Sequence, residues 1–287
     1  MENHDVVIIG SGIAGMTAGI YLKRNNVDAL IIENDAPGGQ LNRSNIIENY
    51  PGYTSIEGPT LAYNIYKQLT SLNIDYLFEN IAKIDFDNNI IKTSNKEIKY
   101  KYLIIATGRS PRRLEVLKDY EGRGVSYCAI CDGNLYKNKE VIVVGGGNSA
   151  FEEAIYLSNI CRKVTILNRS NNLRADDLEI EKVTNKDNIE IILNEEIEKV
   201  TNNEDKLIIN DKYQIDGIFV CIGYVPNTNL FDVLKENNYL LVDNNYKTSI
   251  ENVYAIGDVI KKDVYQLTTA VSEATIASIN IIKELNK

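Results

Sequence analysis

One pattern occurs twice in this chain and limits what the chain can fold into. The run from Asp5 to Ile9 suits a buried parallel strand. It leads into Gly10-x-Gly12-x-x-Gly15 and then a helical pattern carrying Ile13, Met16, Ile20 and Leu22. A second strand, Ala29 to Ile32, ends at Glu33, 23 residues after Gly10. The whole sequence of elements then recurs. Val141 to Val144 leads into Gly145-x-Gly147-x-x-Ala150, the helix Phe151 to Ile160, and a strand from Lys163 to Leu167 ending at Asn168, again 23 residues past the first glycine. Glycines at this spacing permit a tight turn, let backbone approach a pyrophosphate, and allow close helix–strand packing. Repetition of the complete unit predicts two dinucleotide-binding α/β folds.

The repeats differ where selectivity is set. Glu33 stands where a carboxylate binds ribose hydroxyls. Asn168 offers no carboxylate, and Arg169 and Arg174 follow it. An acid selects the free 2′-hydroxyl of NAD, whereas its absence beside arginines suits a 2′-phosphate. The plain alternative is a solvated basic loop.

Just upstream of the second repeat lies Cys128-Ala-Ile-Cys131-Asp132-Gly133. Two cysteines at this spacing can close a small disulfide, and the spacing favours a reactive thiol. An adjacent carboxylate raises a thiol's pKa by repulsion when charged and can hand over a proton when neutral. A zinc site would need a second ligand pair, and the sequence holds neither a second Cys-x-x-Cys nor any histidine besides His4. Cys161 and Cys221 lie in apolar contexts that predict buried core thiols, and His4 reads as a solvated end residue. The net charge of −9 over 287 residues is spread along the chain. No basic block calls for nucleic acid, no apolar run spans a membrane, and the start predicts no signal peptide. The expectation is a cytosolic protein.

Elsewhere, Pro37-Gly38-Gly39-Gln40-Leu41 and Glu48-Asn49-Tyr50-Pro51-Gly52 read on their own as surface turns. Thr60 to Leu72 predicts a helix. Strands are expected at Ile81–Phe86, Ile90–Thr93, Tyr102–Gly108, Ile189–Leu193, Ile197–Val200, Lys206–Ile209 and Gly217–Gly223. Val253 to Val259 closes on Gly257-Asp258, with a helix from Leu267 to Leu285. Asp258 reads either as a helix cap or as a holder of a flavin's ribityl or phosphate end.

Together these motifs resemble the bacterial low-molecular-weight thioredoxin reductases along essentially the whole chain. The matching stretches are Ile8–Gly12, Pro37–Leu41, Glu48–Gly52, Ala106-Thr107-Gly108, Cys128–Gly133, Gly145–Ala150 and Ala255–Val259. The resemblance implies an FAD-binding domain at 1–110 and 231–287, with an NADPH-binding domain carrying the cysteine pair inserted at 111–230. That is an α/β fold of two Rossmann-like three-layer domains, the second inserted into the first. It implies FAD contacts from Gly10, Ser11, Gly12, Ala14, Gly15, Glu33, Gly39, Gln40, Leu41, Asn49, Ala82, Thr107, Gly108, Gly257, Asp258, Val259 and Gln266. NADPH contacts would come from Gly145, Gly147, Asn148, Ser149, Ala150, Arg169 and Arg174.

The resemblance further implies a homodimer, hinges near Gly108–Arg113 and Tyr224–Asn229, and electron flow from NADPH through FAD and Cys128–Cys131 to a thioredoxin-like protein. Asp132 would be the proton donor. The chain departs from the family's usual His-Arg-Arg-x-x-x-Arg at Asn168 and Ser170, and from its Arg-Gln at Tyr265. The competing readings are a ferredoxin-linked reductase of the same fold, the flavoprotein arm of a peroxide-reducing system, and a non-catalytic flavin sensor.

Overall fold

The computed structural model describes residues 1–44, 46–203 and 206–287. The chain divides into two compact units, one of residues 1–43, 50–110 and 225–287, the other of residues 44–49 and 111–224.

The first unit begins with β1 (Glu2–Ile9), α1 (Ile13–Arg24), β2 (Ala29–Glu33), α2 (Gly58–Thr70) and β3 (Asp75–Phe78). It continues with β4 (Ile81–Asp85), β5 (Ile90–Thr93) and β6 (Glu97–Ile105). In the second unit come β7 (Val125–Ser126), α3 (Ala129–Asp132), β8 (Glu140–Val144), α4 (Asn148–Ser158), β9 (Lys163–Asn168), α5 (Asp177–Thr184) and β10 (Ile189–Leu193). An antiparallel trio follows, β11 (Val200–Asn203), β12 (Lys206–Ile209) and β13 (Tyr213–Ile215), and then β14 (Gly217–Val220). The chain returns to the first unit with β15 (Val253–Ala255) and α6 (Leu267–Leu285). The two crossings, Arg109–Pro111 and Tyr224–Pro226, pair as a short two-stranded ribbon.

In the first sheet the strands run β3-β2-β1-β6-β5-β4, with β15 also pairing β6. Its parallel part is buried on both faces, so β1 and β6 end in unbroken apolar runs rather than alternating ones. The second sheet is parallel throughout, in the order β7-β14-β8-β9-β10. Its strands point alternate residues to opposite sides. Val141, Val143, Val164, Ile166 and Phe219 pack under α4 with Phe151, Ala154 and Leu157. Ile142, Leu167, Ile218 and Val220 pack on the other face against Leu207, Ile209 and Ile215 of the antiparallel trio. That unit is therefore three layers deep.

Two expectations are corrected. His4 is no loose end residue: it lies in β1, opposite Tyr100, and its Nδ1 is 3.1 Å from Asp28 Oδ1. The strand expected at Ile197–Val200 starts only at Val200. Asn210 prevents an earlier start, because its Oδ1 accepts from the amides of Glu198 and Lys199 and its Nδ2 donates to Glu196 O. The side chain takes the place of a ladder partner. Among the described residues no helix is long and apolar enough to cross a membrane.

The tightest approach in the first unit is at Gly15, where an added Cβ would come within 1.9 Å of Gly10 O. Neither backbone can move without separating α1 from β1. Gly15→Ala is expected to lower stability by about 3 kcal/mol, the upper end of overpacking costs, read as a lower denaturant midpoint with an unchanged slope.

Candidate functional site

Three constellations follow from this fold. The first is the turn from β1 into α1. Gly10 adopts φ +99° and its N–H donates to Ile32 O at 2.9 Å. Gly12 is the N-cap of α1 and makes no side-chain cap, so the first amides of the helix are left for a ligand. A Cβ at Gly12 would meet nothing within 4 Å, and that open space at a helix N-terminus fits a pyrophosphate.

Glu33 ends β2 with its Oε2 accepting from Ser11 N–H at 2.8 Å and Ser11 Oγ at 3.0 Å, while Oε1 accepts from Asn34 N–H at 2.8 Å. Gly38 N–H donates to Ser11 O at 2.8 Å, and Gly39 packs against Gly12. Leu41 is buried, and Gln40 Nε2 donates to Arg109 O.

From the far end of the chain, Gly257 approaches Ala14 and donates its N–H to Glu273 Oε2 at 2.7 Å. Asp258 lies 3.4 Å from both Arg109 Nε and Lys262 Nζ. It does not cap α6; that place belongs to Gln266, whose N–H donates to Thr269 Oγ1. Val259 is buried behind the turn.

So Gly10 to Gly15, Glu33, Gly38 to Leu41 and Gly257 to Val259 belong to one unit and group around the start of α1. Thr107 and Gly108 are partly committed elsewhere. Thr107 Oγ1 donates to Asn227 O at 2.8 Å, and Asn227 N–H donates to Gly108 O at 3.0 Å, which latches the return crossing. Ala82 lies exposed at a register shift in β4. Asn49 falls with residues of the second unit.

Sequence reasoning missed the supports of this turn. Glu273 is a buried acid, its carboxyl pushed up by burial and pulled back by Lys262, whose Nζ lies 2.8 Å from Oε1. The signal was present: Glu273 is the lone acid on an otherwise small and apolar stripe of α6 with Ala270, Ala274, Ala277 and Ile281. Arg109, stacked 3.7 Å above the Tyr265 ring, left no such mark.

The second constellation opens β8 into α4. Gly145 has φ +147°, and a Cβ there would strike Cys221 O at 2.4 Å. Gly147 is the N-cap of α4, again without a side-chain cap. Asn148 and Asp176 bond reciprocally: Asn148 Nδ2 donates to Asp176 Oδ2 at 2.7 Å, and Asp176 N–H donates to Asn148 Oδ1 at 2.8 Å. Asn148 is thus a loop brace. Ser149 is exposed and Ala150 buried. Asn168 is buried, with Nδ2 donating to Ser170 O at 2.8 Å and Asn172 O at 3.1 Å. Gly146 O accepts from the amides of Arg174 and Ala175 at 2.6 and 3.1 Å, which fixes where Arg174 starts. Arg169 and Arg174 are both exposed, and neither forms an ion pair among the described residues.

The third is the cysteine pair. Cys128 and Cys131 form a disulfide with Cα atoms 5.3 Å apart. Cys128 is the N-cap of α3, its Sγ accepting from Cys131 N–H at 3.2 Å. Asp132 follows on the same short helix. Its Oδ2 accepts from Ser126 Oγ at 2.6 Å, while Oδ1 is buried with no hydrogen-bond partner among the described residues. Burial pushes its carboxyl up, against the Ser126 hydrogen bond that lowers it. An acid so placed binds a proton more readily than an exposed carboxylate does. Ile130, between the cysteines, is exposed.

Cys161 is buried as expected, with its thiol pushed up to about 11 by burial. Cys221 is half-buried and donates to Glu153 Oε2 at 3.0 Å, a contact that the sequence did not announce.

The pyridine nucleotide-disulphide oxidoreductase family matches residues 4–274. The thioredoxin reductase of Ureaplasma parvum serovar 3 is 37% identical, covering 97% of this chain and 96% of its own. A crystal structure of the thioredoxin reductase of Streptococcus pyogenes superposes with a TM-score of 0.93 at 37% identity, covering 99% of this chain and 98% of that one. A ferredoxin-flavin thioredoxin reductase of Clostridium acetobutylicum superposes with a TM-score of 0.56 at 27% identity, covering 100% of this chain and 99% of that one.

Because the folded state raises the Asp132 carboxyl, ionising it at neutral pH costs the native protein free energy that the protonated form does not cost. Asp132→Asn is therefore expected to raise thermal stability at neutral pH. The gain should shrink as pH falls through the folded-state pKa and vanish below the ordinary value of 3.8. Melting curves across that range check the sign.

Proposed function

Since this chain belongs to the pyridine nucleotide-disulphide oxidoreductase family and is an FAD- and NADPH-dependent oxidoreductase, we propose that it is a thioredoxin-disulfide reductase whose working disulfide is Cys128–Cys131. The observation that carries this reading is the disulfide itself, with a protonatable, half-satisfied Asp132 at one end and an exposed face at Ile130. A staple needs no acid. A disulfide exchanged with another protein needs a proton donor for the leaving sulfur and a face the partner can reach.

FAD would be held by the first unit, with the pyrophosphate on the uncapped amides of α1, the ribose on Glu33, and the Gly257–Asp258 turn closing over the far end. NADPH would be held by the second, with Gly145 to Ala150 under its pyrophosphate and Arg169 and Arg174 on its 2′-phosphate. Bound FAD supplies the chemistry that links a two-electron hydride donor to a disulfide.

The chain's own part is as follows. Reduction of Cys128–Cys131 takes up two electrons and two protons, and Asp132 delivers a proton to the sulfur that leaves. One reduced cysteine, as thiolate, attacks the partner's disulfide, forming a mixed disulfide and releasing one partner sulfur as a thiol. The second cysteine then breaks the mixed disulfide, closing Cys128–Cys131 again and freeing the partner's second thiol. Resemblance to the family supports a homodimer working in the cytoplasm.

The test is anaerobic reduction of the flavin-loaded protein, followed by its absorbance, with NADPH, NADH and reduced ferredoxin as separate donors. Bleaching by NADPH at low concentration, with thioredoxin then reoxidising the protein, is expected. Bleaching by ferredoxin alone would overturn the assignment of the second unit. Arg169→Ala and Arg174→Ala should each raise the KM for NADPH roughly ten-fold or more, as loss of a hydrogen bond to a charged group demands, and leave the KM for NADH unchanged. Asp132→Asn should slow thioredoxin reduction at least roughly a hundred-fold, the lower end for a lost general acid.

A further inference from the structure

Glu153 lies on α4, the helix opened by the second glycine loop, and its Oε2 receives two donors. Ala129 N–H, the peptide directly after Cys128, reaches it at 3.1 Å, and the Cys221 thiol reaches it at 3.0 Å. Cys221 is itself tied to that loop. Its N–H donates to Val144 O at 2.8 Å, and its carbonyl oxygen lies against Gly145. A chain of contacts thus runs from the glycine loop through Cys221 and Glu153 to the peptide joining Cys128 and Ala129.

The pattern does not suit simple packing. A thiol that only fills space has no need of a carboxylate, and a carboxylate half-buried between α4 and the sheet loses hydration that its partners must replace. The α3 helix spans only Ala129–Asp132, so it has almost no internal hydrogen bonds to fix its orientation. Its first amide is one of the donors that a helix start leaves unpaired, and Glu153 accepts it. Burial and the Glu153 charge both push the Cys221 thiol up, which keeps it protonated and donating. After reduction, the Glu153 charge stands about one peptide from Cys128, where it opposes thiolate formation.

We infer that Glu153, with Cys221 as its fixed donor, is a positioning residue for the Cys128–Cys131 pair. It anchors the peptide that carries Cys128 and holds a negative charge beside the reduced thiols, and through both it tunes the pair's redox potential. Around this segment the ionisable groups among the described residues include Asp132 on α3, Tyr136 in the turn after it, Glu48 bonded to Asn134 of that turn, Glu153 from α4 and Cys221 from the end of β14. The inference rests on the reading of Cys128–Cys131 as redox-active.

The experiment equilibrates the flavin-loaded full-length protein with dithiothreitol buffers across a range of pH. Each buffer dithiol gives two electrons and two protons to the disulfide and closes to its own cyclic disulfide. The redox state of the pair is read by alkylation and mass. Glu153→Gln keeps an acceptor for Ala129 N–H but removes the charge. It should make the pair easier to reduce and move the break in its potential–pH profile to lower pH, while most of the turnover remains.

Glu153→Ala also frees the Ala129 amide and should lose roughly ten-fold in turnover besides. If both variants keep the wild-type potential–pH profile, Glu153 is only a packing residue and the inference is overturned, whatever the melting temperatures do. Should Glu153→Ala fail to fold, the profile of Glu153→Gln decides alone. A wild-type pair that equilibrates with dithiothreitol in no buffer would overturn the redox reading and this inference with it, and that outcome is visible before any variant is made.

Discussion

The structure depends on how closely α1 can approach the strand before it. At Gly15 there is room for a hydrogen and nothing more, since a Cβ would sit 1.9 Å from Gly10 O. That approach brings the first, uncapped amides of α1 to the edge of the sheet beside the end of β2, where Glu33 stands. The second unit solves the same problem with one difference. Ala150 replaces the third glycine, while Gly145 lies against Cys221 O just as Gly10 lies against Ala106 O in the first unit. Cys221 thereby touches the glycine loop through its backbone and Glu153 through its thiol.

Three glutamates near these turns act on backbone amides. Glu33 holds the amides of Ser11 and Asn34, Glu273 that of Gly257, and Glu153 that of Ala129. In each case the amide belongs to a turn that regular secondary structure leaves without an acceptor, and a buried unpaired amide is costly. Glu273 also carries Lys262, so its charge is neutralised inside the fold. Asp132 differs from these three. It holds no amide through its carboxyl, and one of its oxygens has no partner among the described residues. Where its neighbours make backbone rigid, Asp132 is left free to change protonation state.

The fold was legible because its markers are periodic or composed of glycine. Both βαβ units, the helix Leu267–Leu285 and the strand Ile189–Leu193 could be read from the sequence with their ends nearly in place, since apolar runs and the glycine spacing report directly on buried strands and tight turns. The disulfide's acid was legible by adjacency. What escaped was everything made by side chains reaching across the fold. Asn210 displaces a strand that hydropathy alone extends to Ile197, and pairing with β6 from Glu2 onward turns an apparent tail into a strand on which His4 meets Asp28. Cys221 looked like any core thiol, because the carboxylate that accepts its hydrogen bond is 68 residues away. Sequence spacing carries no trace of such contacts.

The same limit applies to Asn168, and there the structure changes the argument. From the sequence, position 168 matters for what it lacks, a carboxylate for a ribose hydroxyl. In the fold its amide is turned inward, donating to two carbonyls of the loop that carries Arg169 and Arg174. A carboxylate in that place would face Ser170 O and Asn172 O with no proton to offer, so the loop in this conformation excludes an acid for its own sake. With the second unit assigned to NADPH as proposed, the residue that stands where a ribose-binding carboxylate would is also the one that shapes the arginine loop. On that proposal, donor selectivity and loop conformation are one choice rather than two.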